Sequence, residues 1–299
     1  MKASVGLFFA LLALGAAGLV PATAESRAAQ AEYVVVIGLD GARPEIIQQG
    51  AGPVLHELIQ QGSVSWNARA VHPTVTQVNW ASMLTSSRPD THSINMHPVT
   101  QEQLADLSLQ VPTVFQVVAE HGGLASGFLG HWKLYPVESD TPGTYFQRSP
   151  YEAHRVAPLA ADHIEENRPT LCFIWMGNLD GLGHRHGWLS DEQFAAMPVI
   201  DRAIGQIVQA LRDADMWNKT LLIISSDHGG HGRGHGQGTE EDTIIPWIAV
   251  GPGVRQGHVI QSPVSIIDTA ATALHALGLP RPDAWDGKPV DEIFETTND

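Results

Sequence analysis

Three segments of this chain have the same form, a short apolar run that ends at an aspartate. The runs cover residues 33–40, 171–180 and 221–227. Near-continuous apolar runs of this length are typical of strands that are buried on both faces of a parallel sheet. The carboxyl ends of parallel strands share one edge, so Asp40, Asp180 and Asp227 are predicted to converge although about 190 residues separate the outermost pair. This convergence favours a metal centre.

The first 24 residues have the pattern of a secretory signal peptide. One Lys precedes an apolar run over residues 5–20, and Ala22-Thr23-Ala24 is a small-x-small end. A retained N-terminal anchor is the alternative, but the run is shorter than the roughly 20 residues that a spanning helix needs. We therefore expect a periplasmic or secreted protein, soluble and without a membrane part after cleavage.

Composition restricts the class of protein. Residues 25–299 are within the size range of a single α/β domain. The chain has 32 Asp and Glu against 17 Lys and Arg, which argues against a nucleic-acid-binding surface. Its one cysteine, Cys172, lies in a predicted core strand, so we expect a buried thiol and no disulfide.

Helical and strand patterns alternate along the chain. Strands are predicted at residues 33–39, 125–129, 171–180, 221–226 and 244–250. Helices are predicted at residues 44–61, 111–120 and 265–277, with a long one after the second aspartate. This alternation predicts an α/β fold with a mostly parallel sheet and helices on both faces. Residues 131–155 are predicted to form a loop excursion over the site.

Histidines follow the second and third aspartates at short spacing. Asp180 and His184 stand four residues apart around two glycines, a spacing that lets both side chains bind one ion. His228 follows Asp227 directly, and His231 and His235 lie in a Gly-His alternation just beyond. Such an alternation also suits a flexible polar loop, but the other two pairs favour metal ligation.

A hydroxyl nucleophile is expected in residues 72–92. Thr74, Thr76, Ser82 and Thr85 lie just before or within a helix predicted to begin near Val78. A hydroxyl at a helix N-terminus beside a dication loses its proton easily, in a region that favours anions. The alternative is an ordinary threonine cap.

Five motifs, in a fixed order along the chain, resemble those of a known protein family. They are Asp40 after a strand, Pro73-Thr-x-Thr76 with Asn79, Arg88-Pro-Asp-x-His92, Asp180-x-x-Gly-His184-x-x-Gly187, and Asp227-His228-Gly229 followed by Gly234-His235-Gly236. Together they resemble the alkaline phosphatase superfamily, and most closely its type I phosphodiesterase/nucleotide pyrophosphatase family. The resemblance runs from about Val34 to Pro252.

The resemblance implies a three-layer αβα sandwich and two divalent metal ions, which are zinc in the family. One zinc would be held by Asp180, His184 and His235. The other would be held by Asp40, Asp227 and His228, with Thr76 as the metal-bound nucleophile. The implied reaction is a two-step, in-line hydrolysis of a small-molecule phosphate ester through a phosphothreonine.

The chain departs from the family pattern after the nucleophile. The branch has Phe-Pro there, whereas Gln77-Val78 follows Thr76, and His97 stands where an asparagine holds a phosphoryl oxygen. Asn95 and His97 are therefore the candidate substrate-binding residues. We expect a preference for phosphodiesters over phosphomonoesters by a narrow margin, because no arginine matches a superfamily position that would bind a dianion.

Two other functions remain open at this point, and a third, a sulfatase, is disfavoured. One is a phosphomonoesterase of the same superfamily, and another is a catalytically inactive zinc-binding exported domain. A sulfatase would need Cys or Ser in a Cys/Ser-x-Pro-x-Arg context, which this sequence does not contain. Thr76 separates an enzyme from a zinc-binding domain, since zinc storage needs no hydroxyl beside the metal.

Overall fold

The computed structural model describes residues 30–95, 100, 102–103 and 108–295, which form one eight-stranded sheet between two layers of helices. The strands are β1 Tyr33–Leu39, β2 Ser63–Arg69, β3 Ala125–Leu129, β4 Thr144–Arg148, β5 Leu171–Met176, β6 Thr220–Ser225, β7 Ile244–Val250 and β8 His258–Val259. Their order across the sheet is β4-β3-β5-β1-β6-β7-β2-β8. In this described part, β7 runs antiparallel to β6 and β2, and the other pairs are parallel. The mostly parallel sheet is confirmed.

Helices cover both faces of the sheet. They are α1 Pro44–Gly50, α2 Pro53–Gln61, α3 Thr76–Thr85, α4 Pro89–His92, α5 Val114–Glu120, α6 Ala153–Asn167, α7 Asn178–His186, α8 Asp191–Asp213, α9 Glu240–Thr243 and α10 Asp268–Ala276. Apolar side chains of α1, α2, α6 and α8 pack on one face, and those of α3, α5 and α10 pack on the other. The result is the three-layer αβα sandwich that the resemblance implied.

The apolar runs noted in the sequence are the central strands. β1 lies between β5 and β6, and its alternate side chains enter the two opposite cores, Val34 and Val36 in one, and Val35 and Ile37 in the other. A strand buried on both faces needs apolar residues at every position, which explains the unbroken runs. Cys172 lies in β5 as a buried free thiol, as expected.

The single helix predicted over residues 44–61 is wrong, because the chain forms α1 and α2 with a break at Ala51 and Gly52. Pro53 is the first residue of α2; proline lacks the N–H that would continue a helix and disfavours helical backbone in the residue before it. Asp201 on α8 caps the new start, with its carboxylate accepting hydrogen bonds from the backbone N–H groups of Val54 (3.2 Å) and Leu55 (2.8 Å).

Strands β2, β4 and β8 were not predicted. β2 mixes apolar with polar residues, and β8 is only two residues long, so neither has a clear period. Residues 131–155, predicted as a loop excursion, hold a 3-10 helix over Trp132–Val137 and the edge strand β4. The proposed signal peptide lies outside the described residues, among which no helix is long and apolar enough to cross a membrane.

Replacing Asp201 with alanine should lower the free energy of unfolding by about 1–3 kcal/mol, because two buried N–H groups at the start of α2 lose their acceptor. Urea denaturation measures this change. Asp213→Ala at the exposed end of the same helix is the matched control and should change stability by about 0.5 kcal/mol or less. Equal losses in the two variants would contradict the capping role.

Candidate metal centre

Three loops meet at the carboxyl edge of the sheet. Asp40 follows β1, Asp180 lies in the first turn of α7 just after β5, and Asp227 follows β6 by one residue. Because β1 lies between β5 and β6, the three aspartates meet as the sequence predicted. The Asp180 N–H donates to the Asp40 carbonyl (3.0 Å), and the Gly41 N–H donates to the Asp227 carboxylate (3.1 Å).

Asp40, Asp227 and His228 form the first of two ligand groups. One ligand atom from each lies within 4.8 Å of the others, and all three side chains are buried. The His228 Nε2 atom is 3.2 Å from Asp227 Oδ2 and 3.6 Å from Asp40 Oδ1. The structure thus brings together the residues predicted for one metal site.

The second group contains Asp180, His235 and again His228. The Nε2 atoms of His235 and His184 are 3.6 and 3.3 Å from Asp180 Oδ1. The rings of His228 and His235 stack with centroids 3.7 Å apart. His184, predicted as a ligand here, is not a member of this group, but its Nε2 faces the same Asp180 oxygen from the next turn of α7. It is more exposed than His228 and His235.

In each aspartate, one carboxylate oxygen accepts a hydrogen bond and the other accepts none. Asp40 Oδ2 accepts from the indole N–H groups of Trp80 (3.2 Å) and Trp175 (2.9 Å). Asp180 Oδ2 accepts from the Tyr151 hydroxyl (3.3 Å). Asp40 Oδ1, Asp180 Oδ1 and Asp227 Oδ2 are buried and accept no hydrogen bond. Unpaired buried carboxylate oxygens are costly, and a divalent cation would satisfy them.

The histidines are oriented in the same way. Each has a backbone carbonyl beside Nδ1, and since a carbonyl can only accept, Nδ1 carries the proton and Nε2 keeps its lone pair. The carbonyls are those of Gly229 for His228 (2.8 Å), Thr74 for His235 (2.9 Å) and Arg233 for His184 (3.0 Å). Metal-binding histidines commonly have such a carbonyl partner.

Burial is the largest cause of the pKa shifts of Asp40, Asp227 and His228. It raises the pKa of Asp40 to about 8, with the nearby Asp180 carboxylate adding to the shift, and raises the pKa of Asp227 as well. It lowers the pKa of His228 to about 3, so this imidazole is neutral at pH 7. Buried carboxylates beside neutral imidazoles are a donor set that suits Zn²⁺ or a similar divalent ion.

Thr76 is the hydroxyl that reaches the ligand groups. It is the first residue of α3, and its Oγ1 atom lies 3.3 Å from His228 Nε2. The Thr74 hydroxyl instead accepts from the Gly238 N–H (3.3 Å). The helix predicted to begin near Val78 therefore begins at Thr76. The side-chain amide of Gln77, the next residue, is buried, and neither its oxygen nor its nitrogen has a hydrogen-bond partner.

Among the described residues, neither Asn95 nor His231 is a member of the two ligand groups. Asn95 is exposed at the end of a described segment, and His97 lies outside the described residues. His231 Nδ1 is 2.7 Å from the buried Asp242 carboxylate, which also accepts from the Gln237 N–H (2.9 Å). Asp242 thus stabilises the His loop, residues 229–238, through His231.

Trp188 was missed in the sequence, although it contacts the turn after Asp40, helix α7 and the His loop. Its indole N–H donates to the Gly41 carbonyl (2.9 Å), and its ring lies 5.3 and 5.8 Å from the rings of His184 and His235. A Cβ atom on Gly230 would approach this ring to 2.2 Å, which explains the glycine. The position of Trp188, just after Gly187 in the metal motif, was the available signal.

The chain is similar to known proteins in sequence. The profile of type I phosphodiesterase/nucleotide pyrophosphatase matches residues 34–232, and the sulfatase profile matches residues 189–279. Ectonucleotide pyrophosphatase/phosphodiesterase family member 1 of Mus musculus is 29% identical over 214 residues, which are 65% of this chain and 24% of the mouse protein. The chain therefore spans about a quarter of the length of the curated relatives that it matches.

Solved structures share the fold. An inactive variant of murine ectonucleotide pyrophosphatase/phosphodiesterase 5 in complex with AMP has a TM-score of 0.73 at 16% identity, covering 88% of this chain and 100% of that chain. A 2-O GAG sulfatase has a TM-score of 0.72 at 15% identity, covering 88% and 74% of the two chains. The αβα sandwich is alkaline-phosphatase-like.

Trp188→Phe should weaken Zn²⁺ binding about 10- to 100-fold, because the hydrogen bond from the indole N–H to the Gly41 carbonyl is lost. This bond ties the turn after Asp40 to the ring that packs against His184 and His235. Competition with a chromogenic chelator measures the affinity. Trp217→Phe, in the 3-10 helix before β6, is the matched control and should bind zinc as the unaltered protein does. Unchanged zinc affinity in Trp188→Phe would exclude this role.

Proposed function

Since this chain belongs to the type I phosphodiesterase/nucleotide pyrophosphatase family, we propose that it is a hydrolase of phosphate esters that prefers phosphodiesters. The observation that carries this proposal is the position of Thr76, whose hydroxyl lies 3.3 Å from His228 where the two ligand groups meet. A domain that only stored zinc would need no hydroxyl there. The substrate is a small-molecule phosphate ester, and one ester bond is cleaved in each turnover.

The donor set supports two divalent ions, and we propose zinc. Asp40, Asp227, His228 and the Thr76 hydroxyl would hold one ion, and Asp180, His184 and His235 the other. The unpaired carboxylate oxygens and the inward Nε2 atoms fit this assignment. When bound, such a pair supplies positive charge that stabilises both the attacking and the leaving oxygen of an in-line displacement.

Thr76 performs the covalent step. The Thr76 hydroxyl gives its proton to solvent as its oxygen forms a bond to phosphorus, and the ester oxygen leaves with the electron pair of the broken bond and takes a proton from solvent. Water then attacks the phosphothreonine from the opposite side, and the bond between phosphorus and the Thr76 oxygen breaks. The free Thr76 hydroxyl is restored, and the product is phosphate, or a phosphate monoester when the substrate is a diester. The N-terminus of α3, a ten-residue helix, favours the anionic phosphoryl group throughout.

A sulfatase activity has less support than ester hydrolysis at phosphorus. The sulfatase match covers Asp227, His228 and His235 but begins after the nucleophile segment. Thr76 stands at the nucleophile position, and threonine does not form the formylglycine that sulfatases use. We also propose that the protein acts in the periplasm or outside the cell, which rests on the signal-peptide pattern in residues 1–24.

Thr76→Ala should lower kcat/KM for bis-p-nitrophenyl phosphate about a thousandfold or more, because the attacking oxygen is lost. Metal content, measured on the same samples by mass spectrometry, should stay near two ions per chain. Thr74→Ala is the neighbouring control and should keep most of the activity, since its carbonyl rather than its hydroxyl holds His235. An active Thr76→Ala with an inactive Thr74→Ala would reverse the assignment.

His235→Ala should lose one metal ion per chain, whereas His231→Ala should keep both. The reason is that His235 Nε2 lies in a ligand group, while His231 is bound to Asp242 outside both groups. Metal analysis after dialysis against a weak chelator measures the stoichiometry of each variant. Loss of an ion from His231→Ala alone would assign the site to His231 instead.

A further inference from the structure

Tyr151 lies against the first turn of α7, the turn that carries Asp180. Its backbone carbonyl accepts from the Gly177 N–H (3.0 Å), and its ring meets the Trp175 ring edge to face with centroids 5.0 Å apart. A Cβ atom on Gly177 or Gly181 would come within 2.6 or 2.9 Å of the Tyr151 side chain. The two glycines therefore make room for this ring, and the surrounding contacts fix its position.

The Tyr151 hydroxyl holds one of the two oxygens of Asp180. It donates to Oδ2 (3.3 Å), because a carboxylate can only accept. The other oxygen, Oδ1, faces the Nε2 atoms of His184 and His235, which lie 3.3 and 3.6 Å away, and it accepts no hydrogen bond. Asp180 thus presents one oxygen to the second of the two proposed metal ions.

The number of carboxylate oxygens that face an ion affects which ion fits. A carboxylate that binds through both oxygens raises the coordination number, which suits hard ions with six or more oxygen ligands, such as Ca²⁺ and Mn²⁺. Zn²⁺ in proteins is mostly four-coordinate, and catalytic zinc sites take three protein ligands. With Oδ2 bonded to Tyr151, the residues Asp180, His184 and His235 offer three ligand atoms.

The other two aspartates are restricted by different donors. Asp40 Oδ2 accepts from two indole N–H groups, and Asp227 Oδ1 accepts from the backbone N–H of Gly41. At Asp180 a single side-chain hydroxyl has this role, and Tyr151→Phe removes it while keeping the ring. The second site is therefore the one where the restriction can be tested by the loss of one atom.

We propose that Tyr151 is a positioning residue that restricts Asp180 to one metal-binding oxygen and thereby favours Zn²⁺ over Mn²⁺ at the second site. The proposal rests on the two-metal function proposed above and adds the residue that sets the metal preference of one site. Without the hydroxyl, Asp180 Oδ2 has no bond to hold it away from the ion, and the carboxylate can bind through both oxygens. A higher coordination number suits Mn²⁺ better than Zn²⁺.

The test compares Tyr151→Phe with the control Tyr145→Phe. Tyr145 is exposed on the edge strand β4, where its hydroxyl donates to Gln147. Competition with a chromogenic chelator measures the affinity of each protein for Zn²⁺ and for Mn²⁺. In Tyr151→Phe, the affinity for one of the two zinc ions should fall about 10- to 100-fold, and the affinity for Mn²⁺ should change less than about threefold. Tyr145→Phe should change neither.

A second variant and a spectrum test the same role independently. Gly181→Ala keeps the hydroxyl but places a Cβ atom 2.9 Å from it, so zinc affinity should fall in the same direction. Co²⁺ bound in place of zinc reports the coordination number, because four-coordinate Co²⁺ absorbs visible light far more strongly than six-coordinate Co²⁺. Tyr151→Phe should lose part of this absorption, and Tyr145→Phe should keep it.

Equal losses of Zn²⁺ and Mn²⁺ affinity would mean that the Tyr151 hydroxyl only stabilises the site, and that result overturns the proposal. An unchanged cobalt spectrum in Tyr151→Phe overturns it too. Failure of the function proposed above is seen separately, as an unaltered protein that binds two zinc ions but does not hydrolyse bis-p-nitrophenyl phosphate. An unaltered protein that binds no zinc contradicts both proposals.

Discussion

Three buried carboxylates at one edge of a sheet are the constraint on which the rest of this structure depends. Burial raises the pKa values of Asp40 and Asp227, and the neighbouring carboxylates add to both shifts because like charges in a dry site disfavour ionisation. The fold keeps them there because the strands that deliver them are apolar on both faces and cannot be moved to the surface. A bound cation converts this electrostatic cost into binding free energy.

Each aspartate side chain has one oxygen that neighbouring groups hold by hydrogen bonds and one oxygen that is left for a metal ion. N–H and O–H donors hold one oxygen of each aspartate, and the other oxygen stays without a partner. Backbone carbonyls do the same for the histidines by fixing Nδ1. Large aromatic side chains supply several of these donors, since an indole or phenol can pack into a core and still present one polar atom.

The sequence predicted those parts of the fold and site that follow from local rules. Asp40, Asp180 and Asp227 could be placed together because parallel strands share a carboxyl edge. The break between α1 and α2 had a local signal in Pro53 that was missed, and Asp201, which caps the new start, lies far along the chain. The mixed composition of β2 hides a strand that pairing with β7 creates. Trp188 was missed because its contacts with the Gly41 carbonyl and the histidine rings are made by tertiary packing, and its place after Gly187 was the one local signal.

The strand order has a consequence for how the protein acquires its ions. β1 is the first strand of the chain but lies in the middle of the sheet, between strands that begin at Leu171 and Thr220. Asp40 therefore meets its partners only when the last central strand is in place, and no early folding intermediate contains a complete site. The identity of the proposed metal ions would then depend on the ions present where folding finishes, because donor sets of this kind bind several divalent metals and affinity alone does not select among them. The compartment in which the chain folds becomes part of the specificity of the centre.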